Sequence, residues 1–276
     1  MRKGGAGCAY ITRMDLASPI PVLPARGSPL DFARGLRLPF TALRLIFRTP
    51  RLFGLSLLAS LVTLASLVGS VAVWWRFTSP LLERFVHRPA SGPGEFLWGL
   101  LWVIAFALLT VISLNTVPLL LLAPLQDPLS EATEALCGGV EPRPFSLGRM
   151  LTETFTSLRH TAARIAILFA GHAILFLLHF IPVAGTLLWT VLGPAWTMAW
   201  LATEYLDAPM ARHLYPFGQV RGVVFRRLPL SLGFGAAVYV LLWVPILNLF
   251  FIPVAVVSGT LLFRALRQSG DLPTPT

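Results

Sequence analysis

The sequence predicts an all-α integral membrane protein, and three observations support this fold class. Of the 276 residues, 55% are hydrophobic and only 12% are charged, which is about half the charged fraction of an ordinary soluble domain. The mean hydropathy is +0.74. Four stretches contain no Asp, Glu, Lys or Arg, namely residues 52–75, 96–126, 165–203 and 228–263. Because an uncharged apolar run of about 18 residues or more is typical of a membrane-embedded helix, a water-soluble enzyme and a disulfide scaffold are excluded.

The first helix is predicted to lie on the membrane surface. Residues 30–49 place apolar side chains on one helical face and arginines on another, a pattern typical of an amphipathic helix resting against anionic headgroups. Pro39 is expected to kink it. We expect residues 1–29, which lack the apolar core of a secretion signal, to form a flexible cytoplasmic tail. Residues 30–268 are expected to form a single helical membrane domain, followed by a flexible tail at 269–276.

The first two apolar runs predict two transmembrane helices. The run 52–75 is one span, and the run 96–126 is the second. The second run is longer than a bilayer requires, so we expect the helix to tilt or to break near Pro118 or Pro124. The Asp-Pro pair at 127–128 is typical of a helix start, and it predicts a separate cytoplasmic helix there.

The last two runs predict two helical hairpins. Each is divided by a turn, one centred on Pro182 and the other on Pro245, and each proline lies 18 residues after an arginine, Arg164 or Arg227. Arms of about 15–20 residues measure about 22–30 Å, so the hairpins are either re-entrant or short full spans. The distribution of arginines favours hairpins that leave the membrane on the side they entered, with the N-terminus in the cytoplasm.

Four residues are candidates for binding a substrate. Arg48 and Arg51 lie at the entrance of the first span, where they can capture an anion or anchor the helix to headgroups. Asn115 lies deep in the second run, where it lines a path or bonds to another helix. Asn248 lies at the second turn, as a cap or next to an anion. The arm after each turn begins with unpaired N–H groups that favour negative charge.

The remaining charged residues suggest structural roles and no enzyme chemistry. Asp127 and Glu131 are candidates for ion pairs with Arg159 or Arg221 that fix the cytoplasmic helices. The sequence has no metal-ligand spacing and no phosphate-binding glycine loop, so we expect no metal and no cofactor. The net charge of +10 comes largely from arginines at the ends of the apolar runs, as in membrane anchors, so we expect no nucleic-acid partner. An intramembrane serine protease built on Ser56 is not favoured, because the glycine that usually follows such a nucleophile is absent.

Three short segments, in a characteristic order, resemble one known family. The segments are Ala-Pro-Leu-Gln-Asp at 123–127 with Glu131, Glu134 and Gly138; Glu-Tyr-Leu-Asp-Ala-Pro at 204–209 with Arg212 and His213; and Gly-Phe-Gly at 233–235 with Pro245, Asn248 and Pro253. Together they resemble the CysZ sulfate-permease family, whose eukaryotic relatives are the etoposide-induced proteins. The resemblance extends over about residues 30–264.

The resemblance implies two spanning helices, two partly penetrating hairpins, and a homo-oligomer in the bacterial inner membrane that imports sulfate for sulfur assimilation. The family contacts sulfate through a Gly-Leu-Arg motif just before the first long helix. Here Gly-Leu-Arg at 35–37 lies inside the amphipathic helix, and the matching position is Thr-Pro-Arg-Leu at 49–52. The implied sulfate contact is therefore assigned to Arg48 and Arg51 by position. The interpretation is a permease for sulfate or a related oxyanion; the alternative is a non-transporting membrane organiser.

Overall fold

The computed structural model describes residues 23, 28–89, 92–137, 165–181, 183–213, 215–243 and 245–272. Within these ranges every regular element is helical, which confirms the prediction of an all-α protein. In chain order the helices are α1 (Asp31–Arg48), α2 (Pro50–Glu83), α3 (Pro93–Leu136), α4 (Ile165–Phe180), α5 (Ala184–Arg212), α6 (Phe217–Arg226), α7 (Leu228–Trp243) and α8 (Pro245–Gln268).

The two long helices α2 and α3 pack against each other as a hairpin. Each begins with a proline in its first turn. Backbone N–H groups in the first turn form no hydrogen bond within the helix, so the lack of an N–H on proline costs nothing there. Small polar residues form the buried stripe of α2 and allow close helix contact; they are Ser56, Ser60, Ser66, Ser70 and Thr78. Two indole groups link the pair, because Trp74 Nε1 donates to Ser113 Oγ at 2.6 Å and Trp102 Nε1 donates to Ser79 Oγ at 3.0 Å.

The expected break near Pro118 or Pro124 and the expected helix start at 127–128 are both wrong, whereas the alternative that the long helix α3 tilts in the bilayer stays a prediction. The helix runs without a break through Pro118 and Pro124, and the Asp-Pro pair at 127–128 lies inside α3, so no new helix starts there. A proline within a helix removes one backbone hydrogen bond and crowds the carbonyl of the preceding turn, and helices in membranes tolerate this cost when neighbouring helices compensate. With 44 residues, α3 is about 66 Å long. This is about twice the thickness of the apolar core of a bilayer, so one end of α3 lies outside that core.

The core of the protein is built around α8, which packs against α1, α2, α3, α5 and α7. The crossing of α1 and α7 depends on two glycines. A Cβ atom at Gly35 would overlap with the carbonyl oxygen of Leu230, and one at Gly233 would overlap with the carbonyl oxygen of Phe32. Helix α1 is thus amphipathic as predicted, and it continues through Pro39. Its buried side faces protein, not lipid.

The helices of the last two apolar runs break at the predicted turns. α4 ends in a 3₁₀ turn, Val183 has a φ of 61°, and α5 follows at once. The arms α4 and α5 lie side by side, since Trp196 Nε1 donates to the Leu168 carbonyl oxygen at 3.4 Å. α8 begins at Pro245, directly after the second break, and contacts α7.

The chain has three to four helices that are long and apolar enough to span a membrane within the described ranges. They are Pro50–Glu83, Pro93–Leu114 and Phe251–Gln268, with a fourth candidate formed by Phe217–Arg226 and Leu228–Leu242, which are bent by 100°. The three single helices differ in their surroundings. In Pro93–Leu114, only 6% of the apolar 18-residue stretch is buried inside the protein, whereas in Phe251–Gln268 the buried share is 78%. The hairpin of α2 and α3 therefore offers its apolar surface to lipid, whereas α8 is surrounded mostly by protein.

Candidate functional site

Two exposed arginines stand at the corner between α1 and α2. Arg48 is the last residue of α1, Arg51 is the second residue of α2, and both are exposed. Between them Thr49 has an extended backbone, with φ −113° and ψ 107°, which turns the chain from one helix into the next. Ile46 and Leu52 are buried on either side of the corner and hold it in place. We call Arg48 and Arg51 the arginine corner.

The arginine corner is electrostatically suited to an anion. Neither guanidinium forms an ion pair with a residue that the structure describes. No side chain caps the N-terminus of α2, where Pro50 is the first residue, so the N–H groups of Arg51 and Leu52 face outward from the first turn. Two exposed arginines therefore flank the start of α2, where the positive end of that helix dipole favours an anion, although the negative end of the α1 dipole lies at the same corner.

The two asparagines predicted to line a path occupy different helices. The backbone of Asn115 lies within α3, and that of Asn248 lies in the first turn of α8. Their side chains fall outside what the structure describes. Whether Asn115 and Asn248 contact a substrate stays a prediction.

A buried carboxylate connects α3 to the end of α5. Glu134 is 4% exposed, and its carboxylate lies 2.9 Å from Arg212 Nη2 and 3.2 Å from His213 Nε2. The Arg212 guanidinium also donates to Ser130 Oγ, and Ser130 shares a 2.7 Å hydrogen bond with Thr260 of α8. These five residues, the Glu134 cluster, fasten the last turns of α3 to α5 and α8. A buried carboxylate requires such partners to remain charged.

The Glu134 cluster was not foreseen among the predicted ion pairs. Asp127 and Glu131 are exposed on α3, Arg159 lies outside the described residues, and the guanidinium of Arg221 lies 5.5 Å from the ring centre of Phe217. Pairing of Asp127 and Glu131 with Arg159 or Arg221 stays a prediction. The available signal for the buried pair was that Glu134 and Arg212 both occur in the segments of the family resemblance.

A second buried network surrounds Arg227 at the bend between α6 and α7. Arg227 is 4% exposed, and it donates to both carboxylate oxygens of Asp271, at 3.0 and 2.8 Å. Its Nη1 lies 3.4 Å from Asp31 Oδ2. Asp31, which is 1% exposed, also accepts from Arg34 Nη1 at 2.5 Å and from the Ser28 N–H at 3.0 Å.

This Arg227 cluster, formed by Asp31, Arg34, Arg227 and Asp271, joins three distant parts of the chain. It holds together the start of α1, the 100° bend before α7 and Asp271, the third residue after the end of α8. Two cations face two carboxylates, so the network is neutral. Arg227 stands at the start of an apolar run, and the bend turns its side chain into the protein. Asp271 belongs to the predicted C-terminal tail, yet it is ion-paired.

Among the described residues, no group of three or more His, Cys, Asp or Glu side chains could hold a metal ion. The chemistry available at the sites above is therefore charge recognition and hydrogen bonding by arginine, serine, threonine and helix ends.

Comparison with known proteins gives consistent matches over most of the chain. The sequence model of the family described as sulfate transporter CysZ/etoposide-induced protein 2.4 matches residues 38–253. A sulfate transporter CysZ of Pseudomonas syringae pv. tomato is 30% identical over 258 residues, which cover 91% of this chain and 96% of that protein. A sulfate transporter CysZ of Pseudomonas fluorescens is 27% identical over 261 residues, covering 93% and 99%. The family match includes the arginine corner, the paired residues Glu134 and Arg212, and Arg227.

Proposed function

This chain belongs to the sulfate transporter CysZ/etoposide-induced protein 2.4 family, and from this membership we propose that it carries sulfate, or a closely related oxyanion, across the bacterial inner membrane into the cytoplasm. The observation that carries the proposal is the similarity, over nearly the whole chain, to proteins named sulfate transporter CysZ. The imported anion would supply sulfur assimilation. The distribution of arginines supports a cytoplasmic N-terminus, because only Arg76, Arg84 and Arg88 lie in the loop between the two long apolar runs.

The arginine corner is the proposed anion-binding point at the cytoplasmic end of the path, because it lies at the start of α2 and the proposed N-terminus is cytoplasmic. Arginine stays protonated at every physiological pH, and its planar guanidinium matches the oxygen pairs of a tetrahedral oxyanion. In a water-exposed site, a dianion about 4 Å from two such charges gains about 4 kcal/mol. This corresponds to a dissociation constant of about 1 mM before the cost of association. An attraction of this size concentrates sulfate at the corner and still lets it leave, as a permease requires.

The proposed path continues past Asn115 and the turns of the two hairpins, whether these are re-entrant or short full spans. No side chain caps the first turn of α5 after the break at Val183, and α8 starts at Pro245 after the second break. Helix starts of this kind present N–H groups and a positive dipole to an anion within the membrane. Asn248, in the first turn of α8, would add a polar side chain to that end.

Sulfate uptake by the purified protein tests the proposal. Radiolabelled sulfate is followed into liposomes that contain the full chain, the Arg48→Gln/Arg51→Gln variant, or the control Arg84→Gln/Arg88→Gln. The control removes two exposed arginines from the loop between α2 and α3. We expect the corner variant to take up sulfate at least tenfold more slowly at subsaturating concentration, which corresponds to about 1.4 kcal/mol, and the control to match the parent.

The same experiment separates a transporter from a membrane organiser. Equal rates of sulfate uptake by the corner variant and its control would show that the arginine corner does not contribute to transport. No uptake above empty liposomes by the parent, in preparations that elute as a single assembled species, would overturn transport and favour the organiser. Competition with thiosulfate, selenate and phosphate then defines the class of oxyanion.

A further inference from the structure

The exposed side of α1 is divided into an apolar row and a basic row. The apolar row consists of Phe32, Leu36, Phe40 and Phe47, whose exposed fractions are 42%, 38%, 64% and 62%. The basic row consists of Arg37 and Arg44, both exposed. At 100° per residue, the two rows are centred about 85° apart on the helix, and the buried stripe lies on the remaining side. Such large exposed aromatic residues beside arginines are typical of a helix in a membrane interface.

The direction of these rows is fixed by backbone contact with the core. The overlap that a Cβ atom at Gly35 or Gly233 would cause shows that α1 and α7 touch through their main chains. Asp31 holds the start of α1 against Arg227, with 3.4 Å between the charged atoms. Helix α1 therefore cannot rotate to bury its phenylalanines, and both rows stay on the surface.

The charge of this surface favours a negatively charged partner. The sequence contains no Asp or Glu between Asp31 and Glu83, and Asp31 is buried in the Arg227 cluster. Neither Arg37 nor Arg44 forms an ion pair with a described residue. A second copy of this chain, with its net charge of +10, is a poor partner for two free arginines, because like charges repel.

We propose that the exposed side of α1 is a binding surface for anionic phospholipid. The apolar row enters the acyl-chain boundary, and Arg37 and Arg44 bind the headgroup phosphates of lipids such as phosphatidylglycerol. Arg37 and Arg44 lie seven residues apart, or about 10.5 Å along the helix, so they reach separate headgroups. Guanidinium groups suit this contact, because they bind phosphate oxygens in pairs and their aliphatic stems can rest on the apolar boundary.

Lipid titration of the full-length protein in detergent tests this surface. Phosphatidylglycerol or phosphatidylcholine is added to the parent, to Arg37→Gln/Arg44→Gln and to the control Arg84→Gln/Arg88→Gln, and the midpoint of thermal unfolding is followed. Phosphatidylglycerol is expected to stabilise the parent and the control more than phosphatidylcholine does. In Arg37→Gln/Arg44→Gln, the half-saturating concentration of phosphatidylglycerol is expected to rise about 30-fold, since each basic residue near an anionic surface contributes about fivefold.

Further measurements distinguish the lipid from other partners. Arg37→Lys/Arg44→Lys keeps both charges and is expected to retain most of the preference, and 0.5 M NaCl is expected to weaken it in the parent. An unchanged preference in Arg37→Gln/Arg44→Gln, or an equal loss in the control, would overturn the proposal. The proposal would also be overturned if sodium sulfate displaced phosphatidylglycerol more strongly than NaCl does at equal ionic strength. Disulfide formation between two copies of a Phe40→Cys variant would instead assign the surface to a second chain. The lipid test changes Arg37 and Arg44 and the uptake test changes Arg48 and Arg51, so the two proposals are tested by variants that share no residue.

Discussion

Replacement of Arg227 by methionine is expected to destabilise the protein although the residue lies at a bend between helices. Arg227 is the cation that joins Asp271, after α8, to Asp31, at the start of α1. Methionine has a flexible apolar chain that can fill part of the same space, so the substitution removes charge and hydrogen bonds more than it removes volume. The neighbouring Arg226 is exposed, and Arg226→Met provides a matched control with the same chemical change.

The size of the effect follows from the exposure of the two carboxylates. The side chain of Asp271 is 21% exposed, so it can regain water when its partner is lost, at a cost of about 1 kcal/mol. Asp31 is 1% exposed and cannot. An unpaired buried charge costs about 3–5 kcal/mol, and the lower end applies because Arg34 and the Ser28 N–H still bind Asp31. The total is about 4 kcal/mol, equivalent to a fall in Tm of about 8–16 °C.

Thermal unfolding of the purified protein in detergent, followed by tryptophan fluorescence, measures this effect. The expected order of Tm is parent and Arg226→Met together, then Asp271→Asn, then Arg227→Met. Adding Asp31→Asn to Arg227→Met should restore part of the loss, because it removes the carboxylate that was left buried without its partner. If Arg227→Met unfolds within 2 °C of Arg226→Met, the Arg227 cluster does not stabilise the fold as argued here.

Two further predictions concern backbone contact and thiol reactivity. Gly35→Ala is expected to lower the stability of the folded protein by about 1–3 kcal/mol, because the new methyl group overlaps with the backbone of α7. The control Gly54→Ala, whose Cβ position is open, should be neutral or slightly stabilising. Equal Tm values for the two variants would contradict the close crossing of α1 and α7. Burial raises the pKa of Cys137 to about 11. At pH 8 the fraction of Cys137 present as thiolate should therefore be about 100-fold lower than that of an ordinary thiol. In a Cys8→Ser variant, the rate at which a maleimide alkylates Cys137 should be lower by the same factor. Equally fast labelling of folded and unfolded protein would contradict this.

The sequence alone was sufficient to predict the fold class and the family. Charge is so costly in a bilayer that membrane helices show as uncharged runs whatever they pack against. The helix ends at Phe180 and Pro245 agree with the turns that the sequence predicted. Proline alone does not explain them, because α1 and α3 continue through Pro39, Pro118 and Pro124. The family resemblance, carried by three short segments, is confirmed by the match to residues 38–253.

Predictions failed where a local signal competed with tertiary packing. The Asp-Pro pair at 127–128 is typical of a helix start, yet α3 continues through it. The helix is fastened further on, at Glu134, by Arg212 and by the Ser130–Thr260 hydrogen bond. These contacts stabilise a continuous helix enough to outweigh the single backbone hydrogen bond that a proline removes.

The sequence by itself therefore determined that this protein is a helical membrane protein of a sulfate-transporter family, with arginines at the entrance of its first long helix. Only the tertiary structure decided which charges are buried and which are free. Arg227 and Arg48 look alike in the sequence, since each is an arginine close to the start of an apolar run. The bend before α7 turns Arg227 toward two carboxylates, whereas the corner after α1 leaves Arg48 exposed. The cost of burying a charge depends on the partners that folding brings to it, and those partners lie up to 196 residues away.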